Sequence, residues 1–215
     1  MNLRRIASLA ALCLALAACS RTAEAPGAVA MSPEEFEKWE IALVEMRIEK
    51  NEAFADSAQS PLPAEVRAGF EGLNYYFPAR ELRFRTPFVA ATGADTVRLT
   101  KRRGEIVPYL QRGVVSFRHD GAVHTLAVYG PVDTSQGDFL WLPFFDATSG
   151  RETYGGGRYL DLAPDADGMV DLDFNYAYNP LCDYNPDRYN CTLPPAGNTL
   201  SFPVAAGEKL FGAAH

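Results

Sequence analysis

The stretch from Val114 to Tyr129, VVSFRHDGAVHTLAVY, is the part of the sequence that decides the fold. Two runs of β-forming residues, Val114 to His119 and Val123 to Tyr129, flank the dipeptide Asp120-Gly121. Asp-Gly favours a two-residue hairpin turn, because both residues tolerate the positive φ angles that such a turn requires. We therefore predict two antiparallel strands joined by a tight turn.

Further short β-forming runs lie on both sides of this hairpin and are separated by turn residues. They are Glu81 to Phe88, Thr96 to Thr100, Phe139 to Phe145, Tyr159 to Leu162, Val170 to Phe174 and Thr199 to Val204. Together with the hairpin they give about eight strands. The sequence therefore predicts a mainly β fold, either an antiparallel β-sandwich or a barrel-like domain.

One helix is predicted before the strands. Ser32 is a good N-cap, Pro33 suits the first helical position, and Glu35 completes a capping box. Apolar residues then recur at three- and four-residue steps until about Phe54. The stripe consists of Phe36, Trp39, Leu43 and Met46. We interpret this element as a helix packed on the β domain rather than as a partner-binding helix.

The beginning of the chain is typical of a secretory signal peptide. Arg4 and Arg5 precede an uncharged apolar run over residues 6–18, which is too short to span a bilayer as a stable helix. The run ends in Leu16-Ala17-Ala18-Cys19, which is similar to the signal of bacterial lipoproteins, where the cysteine carries the lipid. Cleavage of an ordinary signal peptide after Ala18 is the alternative.

These features divide the chain into three predicted parts. Residues 1–18 form the signal peptide, residues 19–31 form the lipidated Cys19 with a flexible tether, and residues 32–212 form a single β-rich domain. The expected location is the bacterial cell envelope. We expect the protein to be bound to a membrane through the lipid on Cys19 and to face the periplasm or the exterior.

The charge of the mature chain limits the classes of partner. Residues 1–18 contain two arginines and no acidic residue, so 18 Lys and Arg then face 27 Asp and Glu, and the net charge is −9. Nucleic acids and anionic lipid headgroups both require a basic surface. We therefore expect no nucleic-acid partner, and the lipid supplies the membrane attachment.

Two cysteines remain for the folded part, Cys182 and Cys191. In an oxidising envelope they are expected to form a disulfide that closes a ten-residue loop, which stabilises the fold by about 2.5 kcal/mol on the chain-entropy estimate. A thiol nucleophile or a metal pair is the alternative, but the spacing is not CxxC and no histidine lies nearby in sequence. We predict neither a metal nor a cofactor.

Residues 142–162, LPFFDATSGRETYGGGRYLDL, combine three consecutive glycines with several charged groups. The motifs GxxxxGK[ST] and GxGxxG are absent, so we interpret the glycines as backbone geometry and not as a phosphate loop. Carboxylates cluster here and on the next predicted strand: Asp146, Glu152, Asp161 and Asp173. Two alternatives remain open, paired carboxylates for acid–base hydrolysis or a structural network around Arg158.

Three segments resemble the bacterial family known as domain of unknown function 1684. They are SPLPAEVRAGFEGLNYYFP at 60–78, the stretch at 142–162, and LDFNYAYNPLCDYNPDRYNCTLPPAGNTLSFPVAAGE at 172–208. The similarity extends from about Glu35 to Glu208. It implies no specific activity, and many members of the family are secreted or lipid-anchored. Its motifs are mainly polar and aromatic, which suggests ligand contacts by Thr148, Tyr154, Arg158, Tyr159, Asn175, Tyr178 and Asn179.

The sequence thus favours a binding or structural module that uses the loop region 146–179. Its partner would be a small polar ligand, such as a sugar or a peptide, or an envelope component. A rigid lid without a ligand is the structural alternative, and a hydrolase acting on a glycan or peptide is the enzymatic one. The motifs GxSxG and HExxH are absent, so the sequence favours a protein that is not an enzyme.

Overall fold

A computed structural model describes residues 25–212. The predicted signal peptide and Cys19 lie outside these residues. The N-terminal helix α1 spans Pro33–Ala55, and Ser32 and Glu35 form the predicted capping box. The remaining α-helices are short: α2 spans Ala64–Arg67 and α3 spans Leu181–Tyr184. Within the described part of the chain, no helix is long and apolar enough to cross a membrane.

Six strands form one antiparallel sheet, which confirms the mainly β fold. The strands are β1 Arg83–Thr100, β2 Ile106–His119, β3 Ala122–Pro131, β4 Leu140–Phe144, β5 Arg158–Leu162 and β6 Met169–Asp173. Their order in the sheet is β5-β4-β3-β2-β1-β6. The predicted hairpin joins β2 to β3, and its turn residues Asp120 and Gly121 have φ angles of 48° and 77°.

The structure corrects three of the predicted strands. Residues 83–88 of the first run and the run at 96–100 belong to the single long strand β1, whose register shifts between Ala90 and Asp95, and residues 81 and 82 lie in a short 3-10 helix before it. The run at 199–204 is not a strand and makes one isolated bridge, from Thr199 to Phe145. The backbone of Val204 is instead bonded to buried side chains, because its N–H donates to Asp146 and its carbonyl accepts from Arg158.

The sheet curls into a half-barrel, so that its two edge strands approach each other. After β6 the chain crosses to the other edge, where Tyr178 pairs with Tyr159 of β5 through backbone hydrogen bonds of 2.9 and 3.0 Å. The inner face of the sheet, which bears Phe84, Phe117 and Leu142, forms the main hydrophobic core. This arrangement matches the barrel-like alternative of the prediction.

The described residues of the predicted tether are hydrogen-bonded to the β domain. Val29 N–H donates to the Arg83 carbonyl at 2.8 Å, and Arg118 N–H donates to the Pro26 carbonyl at 2.7 Å. Residues 26–29 thus lie between the start of β1 and the end of β2, where these strands no longer pair with each other. They provide backbone partners that the diverging strands would otherwise lack.

Helix α1 packs on the domain, as its apolar stripe predicts. Trp39 and Leu43 are buried, and the Trp39 indole donates to the Asp173 carboxylate at 2.7 Å. At its C-terminal end, Phe54 packs edge-to-face on Tyr184 with ring centroids 4.8 Å apart. Lys50 lies one turn before Phe54, so the helix brings its ammonium group to the same place.

Candidate ligand-binding cleft

An open cleft of about 600 Å³ lies on the outer face of β4 and β5. Along these strands, Leu142 and Leu160 point to the core, whereas Trp141, Tyr159 and Asp161 have the opposite parity and line the cleft. Eight aromatic side chains line this aromatic cleft: Phe54, Tyr109, Phe139, Trp141, Tyr159, Tyr178, Tyr184 and Tyr189. The volume falls in the range of ordinary small-molecule sites.

The central rings of the aromatic cleft form a continuous strip. The Trp141 ring lies 5.2 Å from Tyr109 and 4.8 Å from Tyr159, and the Tyr159 ring lies 5.7 Å from Tyr178. The two latter pairs are edge-to-face, which is a favourable aromatic geometry. The Tyr159 hydroxyl donates to the Thr192 carbonyl, so this ring is fixed at both ends. Burial raises the pKa of the Tyr159 and Tyr178 hydroxyls, which keeps both neutral.

Of the four carboxylates predicted as catalytic candidates, Asp161 is the one that lines the aromatic cleft. It stands opposite Trp141 in the β4–β5 ladder, and it accepts a hydrogen bond of 3.0 Å from the Tyr178 hydroxyl. Its side chain is exposed to the cleft, yet the surrounding protein removes part of its hydration. This partial burial raises the pKa of Asp161, while the Tyr178 hydrogen bond and the charge of Lys50 lower it.

Glu208 lies beneath one end of the aromatic cleft and is almost completely buried. Its carboxylate accepts from the Lys50 ammonium, from the Tyr184 hydroxyl and, at 2.8 Å, from the Asn179 N–H. The Lys50 nitrogen also lies 5.3 Å from the centre of the Tyr178 ring. Glu208 therefore connects α1 to the segment that carries Tyr178 and Asn179.

The rim of the aromatic cleft is held from two sides. The predicted disulfide between Cys182 and Cys191 is present and closes the loop that contains Tyr189. From the other side, Arg102 and Arg103 in the β1–β2 turn donate to the Pro186 carbonyl, and Arg102 N–H donates to the Cys191 carbonyl at 2.9 Å. Arg102 and Arg103 are exposed, and the loop supplies carbonyl acceptors for their guanidinium groups.

Asp183 lies just behind the rim, with its carboxylate bonded to two donors. The Asn179 amide donates to it at 2.8 Å, and the Phe211 N–H donates at 3.0 Å. Burial raises the pKa of Asp183 to about 7, and the nearby Glu208 charge adds to this effect. The two hydrogen bonds act in the opposite direction but do not cancel it.

The predicted residues Asp146, Thr148 and Arg158 do not line the aromatic cleft. Arg158 and Asp146 form an ion pair of 2.9 Å in which both side chains are completely buried. The second Asp146 oxygen accepts from the Thr148 N–H and hydroxyl at 2.7 and 2.6 Å. This arrangement supports the structural network rather than paired catalytic carboxylates, because substrate cannot reach these groups.

The other predicted residues are divided between structural contacts and the cleft. Asp173 and Asn175 are buried, and Asn175 exchanges two hydrogen bonds with the backbone of Ala79, at 2.7 and 2.9 Å. Glu152 is exposed and accepts from the Tyr76 hydroxyl at 3.0 Å. Tyr154 does not line the aromatic cleft, whereas Tyr159, Asp161, Tyr178 and Asn179 do.

Gly157, the last of the three consecutive glycines, serves backbone geometry. Gly157 has a φ of 82°, and a Cβ at this position would lie 2.8 Å from the Phe144 carbonyl oxygen. A side chain would therefore collide with β4 at the point where the chain enters β5. Within residues 25–212, no group of three or more His, Cys, Asp or Glu side chains is arranged to hold a metal ion.

Sequence reasoning missed Lys50, Tyr109, Trp141, Tyr184 and Glu208. The signal for Trp141 was the run Leu140-Trp141-Leu142, which is apolar on both faces of a strand. Such a run indicates that the outer face has a use beyond contact with water. Lys50 and Glu208 gave no comparable signal, because their approach depends on the docking of α1.

Comparison with known proteins gives a family but no activity. The profile of the family described as "Protein of unknown function (DUF1684)" matches residues 68–209. The chain is also similar to an uncharacterized protein of Haloarcula marismortui whose structure was solved by solution NMR. The two chains are 36% identical with a TM-score of 0.64, and the match covers 85% of this chain and 100% of that one. No curated protein matches the chain.

The buried ion pair gives a prediction about stability. Replacement of Asp146 by Ala leaves the Arg158 charge buried without its partner, so the free energy of unfolding should fall by about 3 to 5 kcal/mol. Urea denaturation followed by circular dichroism measures this change. The exposed Asp167→Ala variant is the control and should differ from wild type by no more than about 0.5 kcal/mol. A loss below about 1 kcal/mol for Asp146→Ala would contradict the assignment.

The raised pKa of Asp183 gives a prediction about pH. The ordinary value is 3.8 and the folded value is about 7, so the folded state binds more protons between these values. The free energy of unfolding should therefore decrease as the pH rises from about 4 to about 7, by on the order of 1 to 3 kcal/mol from this group. Urea denaturation across this range should show a smaller decrease for Asp183→Asn.

The exposed Asp187→Asn variant provides the matched control for this pH experiment and should retain the wild-type profile. Asn at position 183 keeps an oxygen that can accept from Asn179 and Phe211. The difference between the two variants thus isolates the titration of Asp183. Identical profiles for wild type and Asp183→Asn would refute the prediction.

Proposed function

We propose that this protein, which belongs to the DUF1684 family of proteins of unknown function, is a binding protein whose ligand occupies the aromatic cleft. The observation that carries the proposal is the strip of adjoining rings at Tyr109, Trp141, Tyr159 and Tyr178. Aromatic faces contribute large apolar contact areas, and their polar tips orient a ligand. A small polar ligand with an apolar face, such as a sugar or a peptide, fits this chemistry.

The construction of the aromatic cleft supports a ligand site over a purely structural lid. A lid needs only to cover the core, but here the rings leave an open volume of about 600 Å³ instead of filling it. The disulfide and the β1–β2 turn hold the rim, and Glu208 holds the opposite end. Such support preorganises a site and lowers the entropic cost of binding.

The positions of the carboxylates favour binding over hydrolysis. Glycoside hydrolysis requires two carboxylates about 5 to 10 Å apart across the substrate. Of the four candidates, Asp161 lines the aromatic cleft, Asp146 and Asp173 are buried in hydrogen-bonded networks, and Glu152 lies elsewhere. Within the aromatic cleft, these four residues therefore supply one carboxylate and not the required pair.

We further propose that the protein acts in the cell envelope and is held to a membrane through a lipid on Cys19. The support is the sequence Leu16-Ala17-Ala18-Cys19 after an apolar run of signal-peptide length. The acidic mature chain fits this arrangement, because such a chain gains little from anionic headgroups. A ligand of the envelope or of the medium outside would then reach the aromatic cleft.

Substitution of Trp141 tests the binding proposal. The indole N–H signals of Trp39 and Trp141 are followed by NMR while neutral oligosaccharides, short peptides and small ammonium compounds are added singly. We expect at least one class to shift the Trp141 signal saturably and to leave Trp39 unchanged, since Trp39 is buried under α1. Trp141→Ala should weaken that binding at least tenfold, by isothermal titration.

The matched control for this experiment is Phe77→Ala, because Phe77 is 93% exposed and lies outside the aromatic cleft. This variant should bind as the wild type does. Failure of every class to shift Trp141, or equal binding by wild type and Trp141→Ala, would overturn the proposed function.

A separate experiment tests the lipid anchor. Cells producing the full chain are grown with a labelled fatty acid, which should mark the wild-type protein and leave Cys19→Ala unmarked. The thiol of Cys19 is the group that would carry the lipid, and Ala has none. Label on the Cys19→Ala variant would refute the anchor without affecting the cleft proposal.

A further inference from the structure

We propose that the ligand of the aromatic cleft carries a positive charge, namely an alkylammonium group that lies against the Trp141, Tyr159 and Tyr178 rings beside the Asp161 carboxylate. This inference rests on the proposed function and specifies the class of ligand. Its first basis is the balance of charges that line the cleft.

Both lysines of the aromatic cleft already have acidic partners. Lys50 is paired with the buried Glu208, and Lys101 is paired with Glu105 at 2.9 Å. Each pair contributes no net charge. Asp161 differs, because among residues 25–212 its hydrogen-bond partner is the neutral Tyr178 hydroxyl and no ion pair reaches it. When Glu208 and Glu105 are counted beside their lysines, Asp161 remains the lining carboxylate without a bonded basic partner among the described residues, and its charge attracts a cation.

The position of Asp161 places this charge among aromatic rings. It stands directly opposite Trp141 in the β4–β5 ladder, and cross-strand neighbours of this kind have Cβ atoms about 5 Å apart. The Tyr178 hydroxyl binds the carboxylate, and the Tyr159 ring packs on both Trp141 and Tyr178. A cation beside Asp161 would thus meet a carboxylate and several π faces at once, which is how aromatic sites bind quaternary ammonium groups.

The same cleft already holds one ammonium group against its rings. The Lys50 nitrogen lies 5.3 Å from the Tyr178 ring centre, 5.6 Å from Phe54 and 5.9 Å from Tyr184. These distances are typical of cation–π contacts. Lys50 approaches one end of the aromatic cleft from α1, whereas Trp141 and Asp161 lie on β4 and β5. A ligand cation beside Asp161 would make the same kind of cation–π contact on the side of the cleft that β4 and β5 form.

Carboxylates in a second cavity, called the second hollow, strengthen the negative electrostatic potential at Asp161. This hollow of about 330 Å³ shares Asp161 and Tyr178 with the aromatic cleft and is also lined by Asp171 and Asp173. Arg83 binds Asp171 through two hydrogen bonds to one oxygen and one to the other, so it offsets part of this charge. Asp161 thus adjoins a second group of carboxylates, and within residues 25–212 it has no basic side chain bonded to it.

Choline and 3,3-dimethylbutan-1-ol provide a matched test, because they have nearly the same shape and differ in charge. Each is titrated into the folded wild-type protein while the Trp39 and Trp141 indole signals are followed by NMR. We expect choline to shift Trp141 saturably and to bind at least tenfold more tightly than the neutral alcohol. Asp161→Asn should weaken choline binding at least tenfold and leave the binding of the alcohol unchanged.

Asp161→Asn keeps an oxygen that can accept from Tyr178, so the variant removes the charge and preserves the shape. Asp167→Asn removes an exposed carboxylate outside the cleft and should bind choline as wild type does. Equal affinities for choline and the alcohol, or no effect of Asp161→Asn, would overturn the inference.

The outcomes also separate this inference from the proposed function. If a neutral oligosaccharide shifts Trp141 and choline does not, the cation inference fails and the binding function stands. If neither choline nor any compound of the other classes shifts Trp141, both fail.

Discussion

Arg158 is completely buried, and its guanidinium is bonded to Asp146 and to three backbone carbonyls. A buried charge is costly unless its partners compensate for the lost water, so these groups constrain one another. The three carbonyls belong to Val204, Ala206 and Glu208, in a segment that has no place in the sheet. One side chain therefore fixes the C-terminal part of the chain against β5.

The aromatic cleft depends on this constraint. Because Arg158 holds the backbone of Glu208, the Glu208 side chain can bind Lys50 of α1 and the N–H of Asn179. The buried Glu208 carboxylate thereby joins three parts of the chain: α1, the C-terminal segment and the segment that contains Tyr178 and Asn179. Arg158 has the opposite parity to Tyr159 on the same strand, so the network lies on the inner face and the cleft on the outer face.

Much of the fold follows from local sequence patterns. The capping box at Ser32 and Glu35 and the turn at Asp120 and Gly121 both act between near neighbours. The strand at 199–204 was predicted wrongly because its residues suit a strand, while buried groups distant in sequence use its backbone. Local propensity does not include such long-range partners.

The site was predictable in part. The motif region contributed Tyr159, Asp161, Tyr178 and Asn179 to the aromatic cleft, and it also contained Asp146, Arg158 and Asn175, which are buried supports. Polar residues of both kinds look alike in sequence, because the pattern gives residue type and not exposure. Lys50 and Glu208 are 158 positions apart and meet only through the docking of α1.

The sequence by itself determined the mainly β class, the capped helix, the hairpin and the pairing of the two remaining cysteines, since each depends on short-range geometry or simple counting. Only the tertiary structure decided which polar residues serve as supports and which face a ligand. That division depends on the curl of the sheet, which brings Tyr178 back to β5. It also depends on the buried Arg158, which positions the C-terminal segment beneath the aromatic cleft.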